Sequence, residues 1–191
     1  MLTLILGILI FLGAHSFTTF RETREGLIQQ YGAGAYKIAY SVVSLIGFVL
    51  IVRGFSHYRA DGWVQVWAPP VWTRHLTIAL MWLSFVALAC MGPAPSRIRG
   101  WLRHPMLVAI KIWALAHLLA NGDLGGMILF GSFLAWAVYD RIAVKRRGDL
   151  GAASQPSFTR ADALLLVIGT LAYVAMIFLH PYLIGVPVIG T

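Results

Sequence analysis

Six predominantly apolar runs, separated by polar stretches too short to bury a core of their own, constrain this 191-residue chain more than any other feature. They cover residues 2–20, 38–55, 71–91, 105–119, 124–144 and 162–179. A helix needs ~20 mostly apolar residues to cross the hydrocarbon core of a bilayer. Inside that core no water serves the backbone N–H and C=O groups, so a spanning segment must satisfy them internally, as a helix does. The fourth run reaches adequate length if residues 98–102 lie in the interface and lead into it. The expected architecture is an all-α membrane protein: a six-transmembrane-helix bundle forming one transmembrane domain over residues 1–191.

Composition agrees. Hydrophobic residues make up 59% of the chain, charged residues 12%, and mean hydropathy is +0.78. Soluble domains are only ~45–50% apolar. The net charge of +8 does not call for nucleic acid, because most basic residues lie in short loops beside apolar runs, where topology and anionic lipid account for them. The single cysteine, Cys90, excludes an internal disulfide and metal sites built from several thiolates. No positive charge precedes the first run and no small-residue cleavage pattern follows it, so it reads as a retained helix rather than a signal peptide.

The breaks between runs have recognisable chemistry. Gly92-Pro93-Ala94-Pro95 stops the third run. Asn121-Gly122-Asp123 makes a tight turn between the fourth and fifth. Thr159-Arg160-Ala161-Asp162 offers a helix cap for the sixth. The amphiphilic stretch 22–36 is expected to continue the first helix past the headgroups, up to Gly32-Ala33-Gly34. Residues 56–70, rich in Trp, Tyr and Pro, are expected at the membrane surface. Gly125, Gly126 and Gly131 offer close packing in the fifth run.

Lysine and arginine set the orientation. The loops after runs one, three and five carry eleven of them, and the loop between runs two and three carries three. Positive loops stay inside, so both termini are expected outside. Trp63, Trp67 and Trp72 then fall near the outer interface and Trp101 near the inner one.

Within this apolar frame the histidines stand out. Imidazole in hydrocarbon is costly unless it is coordinated or hydrogen-bonded. His15 interrupts the first run and His117 the fourth. Two readings stand for them: ligands of a metal centre between helices, or side chains that tie helices together through hydrogen bonds. Trp113 precedes His117 by one helical turn and Asn121 follows it by one, on the same face. Asn121 is placed to hydrogen-bond a ligand or a bound group. His104 opens the fourth helix just before Pro105, a natural first-turn proline. At ~100° per residue, positions 104 and 111 nearly eclipse while 117 points away. His104 therefore shares a face with Lys111, not with His117. It either anchors the interface or meets an anionic group there. Lys111 is the one basic residue deep in a run. It either snorkels to the interface or neutralises an anion such as a haem propionate. His57, His75 and His180 flank outer helix ends, where exposed histidine is ordinary.

Gly13-Ala14-His15-Ser16, Arg103-His104-Pro105 and Trp113-Ala114-Leu115-Ala116-His117-Leu118-Leu119-Ala120-Asn121-Gly122-Asp123 resemble the NnrU family over the full chain. That family comprises small bacterial membrane proteins linked to denitrification, the metabolism of nitrite and nitric oxide. It is similar in turn to the plastid zeta-carotene isomerase, a membrane haem b enzyme. The resemblance implies haem b with His15 and His117 as iron ligands; Lys111, Asn121 and His104, by their placement in the fourth run, are then expected as further cofactor contacts. It implies a bacterial inner (cytoplasmic) membrane location. It leaves open whether the chain is an enzyme, redox or isomerase-like, acting with nitrogen-oxide respiratory proteins or on a hydrophobic polyene. The isomerase has a cysteine three positions before its second histidine; Ala114 stands there here, which removes a thiol-based redox step. Two alternatives of other classes remain. One is a non-catalytic accessory or assembly protein for a nitrogen-oxide reductase. The other is a membrane methyltransferase using S-adenosylmethionine, since Arg-His-Pro at a helix start is similar to the isoprenylcysteine type.

Overall fold

A computed structural model of the chain describes residues 1–189. The described residues form eight helices: α1 (Leu2–Phe17), α2 (Arg21–Tyr31), α3 (Ala33–Ala60), α4 (Val71–Ala89), α5 (Arg97–Leu102), α6 (Pro105–Ala120), α7 (Leu124–Arg146) and α8 (Arg160–Ile184). Each of the six apolar runs is a helix, with ends shifted by a few residues. Four of them, α3, α4, α7 and α8, are long and apolar enough to cross a membrane, and α1 taken with α2 makes a fifth. The apolar α6 has 16 residues.

The stretch after the first run does not prolong its helix. α2 leaves α1 at 86°. Two hydroxyls close the end of α1: Thr18 Oγ1 donates to the His15 carbonyl and Thr19 Oγ1 to the Ser16 carbonyl, each at 2.7 Å. Satisfying those carbonyls locally ends the helix. The turn lets the charged Arg21-Glu22-Thr23-Arg24-Glu25 segment leave the apolar direction. Gly32, at φ +85°, then permits the switch into α3.

The chain divides into two compact units. The first comprises Met1–Ala68 with Asn121–Ala143. Its frame is the antiparallel pair α1 and α3. A Cβ on Gly54 would stand 2.3 Å from Leu4 N, one on Gly7 2.5 Å from Ile51 N, and one on Gly47 2.7 Å from Phe11 N. Backbone meets backbone at each of these points, which only glycine allows. In hydrocarbon, where apolar side chains gain nothing by leaving lipid, this contact is the main source of helix association. Of the glycines expected to pack helix five, Gly125 does so, against Tyr58 of α3. Gly131 faces open space, and Gly126 lies against Asp123. Asp123 Oδ1 accepts the Gly126 N–H at 2.8 Å and so satisfies a first-turn donor of α7.

Residues 61–68 of this unit are pinned rather than laid loose. The Val66 and Trp67 N–H groups donate to Gly122 O at 2.8 and 3.1 Å, and Leu124 N–H donates to Val64 O at 2.9 Å. Tyr58 Oη accepts the Val64 N–H at 3.0 Å. The tight turn expected at 121–123 is thereby fixed against the loop.

The second unit comprises Pro69–Ala120 with Val144–Thr191. α4 holds its neighbours through polar contacts. Thr77 Oγ1 donates to Ala116 O at 2.8 Å and Ser84 Oγ to Ala109 O at 2.9 Å, both on α6. Tyr173 Oη of α8 donates to Ile78 O at 3.0 Å, and Trp82 Nε1 donates to Thr170 Oγ1 at 3.0 Å. Gly169 lets α8 approach the backbone of α4 at Val86. The expected cap of the sixth run is present as a full capping box between Thr159 and Asp162. Asp162 also accepts from Ser96 Oγ at 2.7 Å and Ile98 N at 2.9 Å. One carboxylate thus fixes the start of α8 and the start of α5.

Candidate functional site

In the first unit, His15 stands in the last turn of α1, which the glycine contacts hold against α3. Its Nδ1 lies 2.7 Å from the Phe11 carbonyl oxygen, four residues back. A carbonyl only accepts, so Nδ1 carries the proton and Nε2 holds the lone pair. Aromatic rings surround the imidazole. Phe11 stacks on it at 4.2 Å, Tyr40 of α3 lies 5.5 Å away, and Trp136 of α7 meets it edge-on at 5.8 Å and 89°. Beside this cage runs a groove of about 410 Å³ between α1 and α7, lined by Leu12, Gly13, Ser16, Ser132, Trp136 and Tyr139 among others. Trp136 Nε1 is buried there without a hydrogen-bond partner. A buried, unpaired donor costs free energy and calls for an acceptor.

In the second unit, His117 repeats the arrangement. Its Nδ1 lies 2.8 Å from the Trp113 carbonyl oxygen, again four residues back. The Trp113 ring centroid is 5.3 Å from the imidazole. Ala114 and Ala116 on either side are fully buried, and the Thr77 hydroxyl holds the Ala116 carbonyl. His180, expected to flank a helix end, lies inside α8, which continues to Ile184. Its Nδ1 donates to Val186 O at 2.6 Å, which folds the chain after α8 back on the helix.

The remaining expected contacts are spread out. His104 packs beside Gly151, with its Nε2 buried and without a partner. Lys111, on α6, is partly buried and makes no hydrogen bond or ion pair among the described residues. α6 ends at Ala120, so Asn121 lies just past the helix, where its Cβ adjoins Gly126. His57 and His75 are exposed. Among the described residues no three or more His, Cys, Asp or Glu side chains gather to hold a metal.

The donor chemistry at His15 and His117 suits a haem iron. Metal-ligating histidines donate their second ring N–H to a carbonyl or carboxylate, which fixes the tautomer and raises ligand basicity. Both imidazoles do this, from Nδ1, to the carbonyl one turn back. A signal for it was legible: Phe11-Leu12-Gly13-Ala14-His15 and Trp113-Ala114-Leu115-Ala116-His117 share the pattern aromatic-x-x-Ala-His. Tyr36, Tyr40 and Ser44, at i, i+4 and i+8, likewise mark the face of α3 that includes Tyr40, a neighbour of His15. Trp136 had no such signal; its neighbours Ala135 and Ala137 are ordinary helix residues.

The model of a family described as NnrU protein matches residues 3–188. No curated protein and no solved structure matches the chain.

Proposed function

We propose that this chain, which belongs to the NnrU family, is a membrane haem b protein in which His15 and His117 supply the imidazole nitrogens to iron. The observation that carries the reading is a bond the two imidazoles share, Nδ1–H to the carbonyl one turn back: Phe11 at 2.7 Å for His15 and Trp113 at 2.8 Å for His117. Haem b, when bound, supplies one-electron chemistry. The residues of the chain do the rest. The two carbonyls hold each imidazole in the tautomer that presents Nε2 as the donor atom. The rings of Phe11, Tyr40 and Trp136 around His15, and the ring of Trp113 beside His117, keep water from the ligating nitrogens. The hydroxyl bonds from α4 fix the rotation of α6 and with it the direction of His117. Lys111 offers a cation at membrane depth for a carboxylate.

Two imidazole ligands suit electron transfer or redox sensing within nitrite and nitric oxide metabolism. Binding of a small ligand, or isomerisation of a polyene, requires one imidazole to leave. The test is the optical spectrum of the purified full chain after haem-replete expression. A low-spin Soret band with sharp bands on reduction is the expected result. A colourless protein would sink the haem reading and leave the accessory role.

We also infer six crossings with both termini on the outer face of the bacterial cytoplasmic membrane. The eleven-to-three division of basic residues supports this. A reporter fused after Arg147 is expected to be active in the cytoplasm, and one at the C-terminus in the periplasm. The reverse at either site breaks the assignment.

A further inference from the structure

We propose that the second unit carries a seat for the headgroup of an anionic phospholipid, built on Arg97, Trp101 and Phe158. The inference does not depend on the haem reading. The loop before α8 folds over α5. Ala152 N–H donates to Arg103 O at 2.8 Å, Thr159 Oγ1 donates to Pro95 O at 3.1 Å, and Gly100 lies against Ser154. This brings Phe158 to Trp101, edge to face, with centroids 5.4 Å apart. The Arg97 guanidinium sits 5.2 Å from both ring centroids.

Three features of this cluster point to one ligand. First, the rings are left open: Trp101 is 58% exposed and Phe158 59%. Exposed aromatic surface of this size is costly in water and favourable at the headgroup level, where acyl chains meet one face of the ring. Second, the positive charge is unbalanced. Among the described residues Arg97 and Arg103 make no side-chain hydrogen bond or ion pair. Arg99 Nε is buried without a partner, and Arg99 Nη1 makes only a long bond to Ala94 O at 3.5 Å. Arg160 adds a further exposed cation.

Third, among the described residues no carboxylate pairs with them. Asp162 is buried, and its oxygens already accept from Ser96 Oγ, Ile98 N, Thr159 N and Thr159 Oγ1. Asp149 accepts from Gly151 N. A guanidinium stacked by its face on aromatic rings keeps its N–H edge for an anion, and its geometry matches two oxygens of a phosphodiester. The adjoining exposed rings select a phosphodiester that carries acyl chains over a soluble phosphate.

Native mass spectrometry of the full chain in detergent tests this, with phosphatidylglycerol, phosphatidylcholine and inorganic phosphate as probes. Phosphatidylglycerol is expected to be retained in preference to phosphatidylcholine, and inorganic phosphate is expected not to displace it. Arg97→Gln should weaken phosphatidylglycerol retention about fivefold, the typical weight of one basic residue at a membrane surface. Phe158→Leu should weaken it comparably with every charge intact. Arg147→Gln, which removes a charge outside the cluster, should change it little. Three outcomes would overturn the seat: equal losses in Arg97→Gln and Arg147→Gln, no loss in Phe158→Leu, or displacement by inorganic phosphate.

Discussion

His15→Ala and His117→Ala each abolish the low-spin bis-imidazole spectrum, and the ratio of haem to purified protein falls by about tenfold or more. Losing an outer-shell partner of a ligand alone costs about 10–100-fold in affinity, and removing the ligand costs at least as much. The neighbours of each histidine make the effect specific. Phe11, Tyr40 and Trp136 still enclose the space at position 15, and the Thr77 and Ser84 hydroxyls still hold α6. The helices therefore persist in both variants, and helical content by circular dichroism should not move. His57→Ala, His75→Ala, His104→Ala and His180→Ala are expected to keep the spectrum of the parent protein. Retention of an unaltered spectrum in His15→Ala or His117→Ala would refute the ligand assignment. If His180→Ala alone removed haem, the second ligand would have to be sought on α8.

Gly47→Leu has the other large expected effect, on stability. A Cβ at position 47 would stand 2.7 Å from Phe11 N, 2.9 Å from Phe11 Cα and 3.0 Å from Phe11 Cβ. The obstacle is backbone, so no rotamer change relieves it and α1 must move away from α3. Overpacking of this kind costs about 1–3 kcal/mol or more. The displaced segment includes Phe11, whose carbonyl holds His15, so haem retention should fall together with the unfolding temperature. Gly131→Leu is the matched control, because nothing lies within 4 Å of a Cβ there. Equal unfolding temperatures for Gly47→Leu and Gly131→Leu would show that the α1–α3 contact is not what holds the first unit.

Most of the helix layout was legible in the sequence because hydropathy alone dictates it in a membrane: each apolar run is a helix, and the turn at 121–123 and the Thr159 cap fall where their chemistry put them. The course of α2 was missed. Its amphiphilic pattern gave a helix correctly, but hydropathy says nothing of direction, and the hydroxyls of Thr18 and Thr19 decide that. The α1–α3 glycine contacts were missed for a similar reason. Glycine content draws attention to Gly125, Gly126 and Gly131, whereas close approach depends on which residues stand opposite. Gly7, Gly47 and Gly54 matter because Ile51, Phe11 and Leu4 present backbone to them. At the candidate site, position and tautomer separate. The sequence marks His15 and His117 as imidazoles in hydrocarbon, but which nitrogen carries the proton follows only from carbonyls one turn away.

The two helices that bear these imidazoles, α1 and α6, have 16 residues each. At ~1.5 Å per residue each is ~24 Å long, against a hydrocarbon thickness of ~30 Å. Longer neighbours such as α3, with 28 residues, can tilt to fit, but a short helix cannot lengthen. With the six crossings proposed above, lipid beside α1 and α6 must thin, or polar flanks must be drawn inward. The geometry of the proposed ligands His15 and His117 is then coupled to acyl-chain length: short-chain bilayers relax both helices, and thick, sterol-like bilayers put them under load.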